Sequence, residues 1–240
     1  MTASITLRYF AARGRAQFLR YFLRARQVPF TDERVALTAD FAAWRAIRDD
    51  RSIAGPFHKL PVLIFDGRLV AETLPIAEFL HGALGDPARL STDDNLCHKM
   101  LLSSVYQDVM MPIGTLLWAE AVYPGVDFGA LAKRTLERMQ QQLKGLEQTL
   151  LEWQWLERAR SRPVMVADCM LWEELNVAQR ALGPALNLQA QPLLARFHRD
   201  FAARGVCEAL KDEHPSPITG RGAAEDDIIT RVHASLGAAA

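Results

Sequence analysis

The sequence predicts a mixed α/β unit over residues 1–84 followed by an all-α unit over residues 93–213. Three observations carry this. Short apolar runs of strand length are confined to the first third of the chain. Beyond it, apolar residues recur at three- and four-residue spacing over long stretches, the mark of helices. Between the two lies Gly85-Asp86-Pro87, a turn-forming composition that assigns residues 85–92 to a linker.

Residues 5–9 alternate as a strand, with Ile5, Leu7 and Tyr9 on one face. Ala11-Ala12-Arg13-Gly14 reads as a turn. Residues 15–26 form a helix with Ala16, Leu19, Phe22 and Leu23 inward and Arg13, Arg20, Arg24 and Arg26 mostly outward. Pro29 ends it, and residues 30–35 give a second strand, reached by a crossover long enough for parallel pairing. A modest helix spans 39–47, and a polar loop 49–58. Val62 to Phe65 is a third strand, Asp66-Gly67 a tight turn of positive φ, and Leu69-Val70-Ala71 a return strand. Thr73 then opens a helix that tolerates Pro75 in its first turn.

The second half contains helices over 93–120, 128–158, 166–182 and 191–203, with a short one at 206–210. From residue 214 the chain is Pro-, Gly- and Ala-rich. Residues 214–240 are expected to form a C-terminal extension outside the core, with one amphipathic piece over 226–236.

The chain has 240 residues, half of them hydrophobic, which suffices for a sizeable core. Lys plus Arg equals Asp plus Glu at 28 each, so the basic excess of a nucleic-acid binder is missing. Cys97, Cys169 and Cys207 are too few and too scattered for a disulfide framework or a zinc site, and a reducing compartment is expected. Neither a signal peptide nor a membrane span is expected. The six histidines, His58, His81, His98, His198, His214 and His233, have no ligand spacing and read as surface or packing residues.

Candidate chemistry gathers at the ends of the strands. Residues 1–84 follow the order β-α-β-α-β-β-α with a proline at the start of the third strand, which is the thioredoxin-like pattern. There, the loop after the first strand faces the ligand crevice. With no cysteine before position 97, dithiol exchange is ruled out. Tyr9 and Arg15 are present instead. A phenol donating to a bound thiolate, with a cation nearby, lowers the thiol pKa and activates a thiol that the ligand brings. Pro61 is a place for a cis peptide that would turn the backbone of Leu60 outward, toward an extended peptide. Thr73, at a helix N-terminus, offers a hydroxyl and N–H groups to a carboxylate. Taken singly, a half-buried strand tyrosine and an ordinary trans proline fit the same residues.

In combination, Tyr9-Phe10-x-x-Arg13-Gly14-Arg15-Ala16-x-x-x-Arg20-Tyr21, Lys59-Leu60-Pro61 and Glu72-Thr73 resemble a cytosolic glutathione transferase. The likeness is to the tyrosine-type classes, nearest the sigma class, with mu-like features. It runs from about Ile5 to about residue 212 and is most specific in the N-terminal half. Leu117-Trp118-Ala119-Glu120 and Leu182-Gly183-Pro184 through Pro192-Leu193-Leu194 are similar to sigma-class stretches, and Val166-Ala167-Asp168 to the family's capping motif. The resemblance implies an α/β thioredoxin-like N-terminal domain, an all-α C-terminal domain and a cytoplasmic homodimer acting in detoxification.

By that resemblance Tyr9 is catalytic and Arg15 stands beside the sulfur. Leu60, ahead of a cis-Pro61, pairs with the cysteinyl part of glutathione, and Glu72 and Thr73 hold its γ-glutamyl end. The family commonly has Gln-Ser at that pair. At the glycine end, a sigma-type alignment selects Phe41, which has no N–H to give, and a mu-type alignment, which is preferred, selects Trp44 and Arg48; Lys59 reaches the same carboxylate. Asp108 is the candidate to contact glutathione in the partner chain. Phe10, Met111 and Trp118 border the acceptor pocket, with Met110, Ile113 and Tyr106 nearby.

Two further departures stand out. Met165 occupies the place of the usual Ser or Thr of the capping motif, which removes half of a capping box, about 1 kcal/mol. A sigma-class subgroup with prostaglandin D isomerase activity carries an aspartate cluster that binds a divalent metal. Gln107, Asp108, Met110 and Met111 supply one acid there, and no metal is expected. The implied function is conjugation of the glutathione thiol to small apolar electrophiles. A non-catalytic relative that binds without turnover is the alternative. A homodimer is also expected from the wide apolar stripe of Leu101, Leu102, Val105, Val109, Ile113, Leu116 and Leu117, too broad for a helix buried in one bundle.

Overall fold

The computed structural model describes residues 3–38, 40–85, 90–203, 218–220 and 223–237. Strands β1 (Ile5–Phe10), β2 (Thr31–Val35), β3 (Val62–Phe65) and β4 (Arg68–Ala71) form one sheet in the order β2-β1-β3-β4. β1 runs parallel to β2, with Tyr9 opposite Arg34, and antiparallel to β3. The period-two pattern of β1 is realised as alternating burial, with Ile5, Leu7 and Tyr9 inward. Helix α1 (Gln17–Ala25), entered through a 3-10 turn at Gly14–Ala16, makes the crossover that a parallel pair requires. Its residues Phe18, Leu19, Phe22 and Leu23 are fully buried.

Two of the arginines expected to face outward do not. Arg20 is 1 % exposed. Its guanidinium reaches the Asp32 carboxylate on β2 at 3.1 Å and the Ala12 carbonyl at 2.9 Å. Arg13 is bound to Glu173. A hydrophobic-period argument places any arginine outside, because it cannot see that an acid on another element meets the charge. Arg24 is exposed as expected.

Short helices α2 (Ala42–Ile47) and α3 (Arg51–Ala54) follow, the latter inside the stretch read as loop. It forms there because the Asp50 side chain caps it, accepting from the Ser52 N–H at 2.8 Å. Helix α4 (Thr73–Leu84) closes the first half.

In the second half, the single helix expected over 93–120 is α5 (Thr92–Val105) and α6 (Met111–Val122), joined by a π-helical turn at Tyr106–Met110. The one expected over 128–158 is α7 (Phe128–Glu152) and α8 (Trp155–Ala159), broken at Gln154, whose φ is +51°. Helices α9 (Val166–Leu182) and α10 (Pro192–Ala202) follow the periodicity, while the short helix expected at 206–210 lies outside the described residues. α9 is the axis of the molecule, packed against α1 of the sheet layer and α5 of the bundle.

The start of α9 retains the half of the capping box that Met165 allows. The buried Asp168 carboxylate accepts from the Met165 N–H at 2.9 Å, the Trp155 indole at 3.0 Å and the Arg162 guanidinium at 2.7 Å.

Two further expectations are corrected. The stripe from Leu101 to Leu117 is buried within the single chain, where α7 and α9 cover it, so its width is no sign of a partner. The described part of the extension belongs to the core. Helix Ala223–Ser235 packs on α6, α7 and α9, burying Ile228, Ile229 and Val232, and Arg231 pairs with Glu120 of α6. The amphipathic pattern over 226–236 is visible in the sequence, but nothing local shows that its apolar face docks on α6, α7 and α9.

Candidate active site

The site starts from the carboxyl end of β1. Tyr9 is inward and 8 % exposed. The chain turns back over it, so that the Tyr9 hydroxyl accepts from the backbone N–H of Arg15 at 3.1 Å. Gly14 makes this return possible. Its φ is +36°, and a Cβ there would lie 2.5 Å from the Tyr9 hydroxyl, so both conformation and space exclude a larger residue. Burial pushes the Tyr9 phenol up, against the N–H and the positive charge of Arg15, which act downward. The phenol therefore keeps its proton near neutral pH. With an oxygen lone pair engaged by Arg15, the O–H is left to donate.

Tyr9 lies in the wall of a cavity of about 410 Å³. Arg15 and Leu60 border it, and Phe10, Phe41, Met110, Met111 and Trp118 give it an apolar lining. The Arg15 guanidinium approaches the Met111 sulfur at 3.5 Å. Of the residues singled out in the sequence, Tyr9, Phe10, Arg15, Leu60, Met111 and Trp118 thus meet at one cavity. Leu60–Pro61 is a cis peptide. The backbone N–H and C=O of Leu60 make no hydrogen bond among the described residues.

Apart from Phe41, the remaining candidates lie outside the cavity wall. Glu72 precedes α4 with φ +72°, a conformation costly for a residue with a Cβ. Thr73 is buried at the start of α4, whose first turn has no side-chain cap. Trp44 is half-buried and edge-on to Phe10, with ring centroids 5.4 Å apart. Arg48 and Lys59 are exposed. Phe41, not Trp44, belongs to the apolar lining. Asp108 lies on the π turn and is paired with Arg138 of α7 at 3.0 Å. Ile113 is core, fully buried.

Among the wall residues that the sequence reading missed, two groups bear on the chemistry. One is the segment Ile218–Gly220, whose Ile218 and Thr219 line the cavity. The Gly14 N–H donates to the Ile218 carbonyl at 2.9 Å. The buried Glu225 carboxylate accepts from the Ile218 and Thr219 N–H groups at 2.7 and 2.6 Å. Nothing local in a Pro- and Gly-rich stretch announces a strap of this kind. The other is Glu174 of α9. A signal for it existed: two adjacent carboxylates, Glu173-Glu174, in a helix otherwise apolar enough to be buried.

Among the described residues no three His, Cys, Asp or Glu side chains converge to hold a metal ion. No helix among them is long and apolar enough to cross a membrane.

No family model matches the sequence, and no curated protein does either. Solved structures do match. The glutathione S-transferase from Ascaris lumbricoides superposes with a TM-score of 0.70 at 20 % identity, over 90 % of this chain and 99 % of that one. The Fasciola hepatica sigma class enzyme gives 0.69 at 19 % identity, over 88 % and 97 %. A monomeric glutathione S-transferase from Necator americanus, Na-GST-3, gives 0.66 at 18 % identity, over 89 % and 98 %. The chain has the glutathione transferase fold, a thioredoxin-like layer followed by a helical one. Its neighbours of that fold include a sigma-class enzyme.

Proposed function

We propose that this chain is a glutathione transferase of the tyrosine type. The observation that carries the reading is the Tyr9 phenol. Burial raises its pKa, the Arg15 N–H anchors it, and it stands in the wall of an apolar cavity beside Leu60, whose backbone makes no hydrogen bond among the described residues. Glutathione lies with its cysteinyl backbone along Leu60 and its γ-glutamyl end at Glu72, Thr73 and the uncapped start of α4. Its glycine carboxylate is directed toward Trp44, Arg48 and Lys59. A thiol of ordinary pKa ~8.5 is mostly protonated at neutral pH. The Tyr9 O–H donates to the thiolate, Arg15 adds positive potential, and the nucleophilic form is favoured. An apolar electrophile against Phe10, Met111 and Trp118 is held close to the sulfur, and proximity supplies part of the rate.

A cytoplasmic homodimer acting in detoxification goes with this reading. Asp108 reaches a partner's glutathione only if it shares its carboxylate with Arg138. The test pairs calorimetric titration with glutathione against turnover of a chlorinated dinitrobenzene. Binding with turnover supports the transferase. Binding without turnover marks a non-catalytic binder, and absence of both contradicts the reading.

A further inference from the structure

Among the described residues of the cavity wall, Glu174 is a buried ionisable group that conjugation to a simple electrophile does not use. Glu173 and Glu174 are successive residues of α9, about 100° apart around its axis. Glu173 is fully buried and takes Arg13 in two hydrogen bonds, Nε to Oε1 at 2.9 Å and Nη2 to Oε2 at 2.5 Å. Glu174 is 2 % exposed, lines the same cavity as Tyr9, Met110 and Thr219, and makes no hydrogen bond among the described residues. An unpartnered carboxyl facing an apolar cavity is costly unless a ligand group meets it.

Resting on the transferase reading, we infer that Glu174 is the acid of the acceptor site. It selects electrophiles that carry a hydrogen-bond-accepting oxygen, namely α,β-unsaturated aldehydes and ketones, and delivers its proton to that oxygen as sulfur adds. Burial and then the neighbouring Glu173 push the Glu174 carboxyl well above the usual glutamate range; Arg13 pulls the other way, but it is engaged by Glu173. The remaining titratable groups of the cavity wall are Tyr9, Arg15 and Tyr123. A carboxyl that keeps its proton is a donor, where a carboxylate is an acceptor only.

The step balances without a further reagent. The glutathione thiolate forms a C–S bond at the β-carbon, and the π electrons move onto the carbonyl oxygen. The Glu174 proton passes to that oxygen, giving an enol that returns to the carbonyl compound. Glu174 then recovers from solvent the proton released when the thiol ionised.

The test is a ratio, kcat/KM for nonenal over kcat/KM for benzyl chloride, which has no oxygen to protonate. Thiolate formation is common to both acceptors and cancels. Positioned acids contribute on the order of 100-fold, so Glu174→Leu is expected to lower the ratio by at least about tenfold. In the wild-type chain the ratio is expected to fall as pH rises through the Glu174 pKa, and in Glu174→Leu to be flat. The wild-type profile stands on its own should the variant not fold. An unchanged ratio, or a wild-type ratio independent of pH, overturns this proposal while benzyl chloride turnover leaves the transferase intact. Turnover of neither acceptor by the wild-type chain overturns both.

Discussion

A carboxyl group buried beside another carboxyl costs stability wherever the unfolded chain would ionise it. The folded pKa of Glu174 is raised, by burial first and Glu173 second. Above the ordinary glutamate pKa of ~4.3 the unfolded chain has lost this proton while the folded chain holds it, so stability falls as pH rises, by about 1.4 kcal/mol per unit, until the folded pKa is passed. Glu174→Gln removes this titration. It is expected to raise the thermal midpoint at pH 8 more than at pH 5, read by calorimetry at both; an equal shift at the two would place the cost elsewhere. At this scale legibility was uneven. Tyr9, Arg15, Leu60 and Trp118 stand in recognisable strings, so their meeting at one cavity was foreseeable. Arg13 and Arg20 take their meaning from acids on other elements, Glu173 and Asp32, and no local pattern reveals such partners.

At the scale of elements, α9 depends on its first turn. Asp168 ties that turn to α8 through Trp155 and to the preceding loop through Arg162, with the Arg162 guanidinium 4.4 Å above the Trp155 ring. These bonds act where the usual hydroxyl cap is replaced by Met165. Asp168→Ala leaves Arg162 charged and buried, a loss of about 3–5 kcal/mol. For a chain of this size that lowers the thermal midpoint by on the order of 10 °C. A shift under about 2 °C would mean that Met165 and its surroundings carry the helix start alone. Helix existence and the extent of α9 were legible because a long, largely apolar stretch runs unbroken from Val166 to Gly183. The π turn after α5 and the break at Gln154 were not, because apolar spacing continues through both.

At the scale of the whole molecule, the sheet layer and the bundle share α9, and Ile218 and Thr219, held by Glu225 of the C-terminal helix, complete the cavity wall. The partner surface expected from α5 and α6 is buried inside the chain. What α5 leaves exposed is Leu96 and Met100, and the loop before β3 exposes Phe57 at 58 %. The proposed twofold contact is expected to use these groups. Among the structural neighbours one is described as monomeric, so the fold alone does not decide. Sedimentation at micromolar concentration is expected to give twice the chain mass of 26.8 kDa, and Phe57→Ser with Met100→Glu to reduce it to one chain. A monomer in the wild type would remove the dimer and, with it, any role for Asp108 across an interface.

The role of Tyr9 is tested most directly by ultraviolet titration of the thiolate of bound glutathione. In the wild-type chain the bound thiol is expected to ionise below the ordinary thiol pKa of ~8.5. Tyr9→Phe keeps the ring and removes one hydrogen bond to a charged group, worth roughly 1.5–3 kcal/mol, so the pKa of the bound thiol is expected to rise by about one to two units. Identical titrations in the two proteins, with glutathione bound in both, would contradict the account.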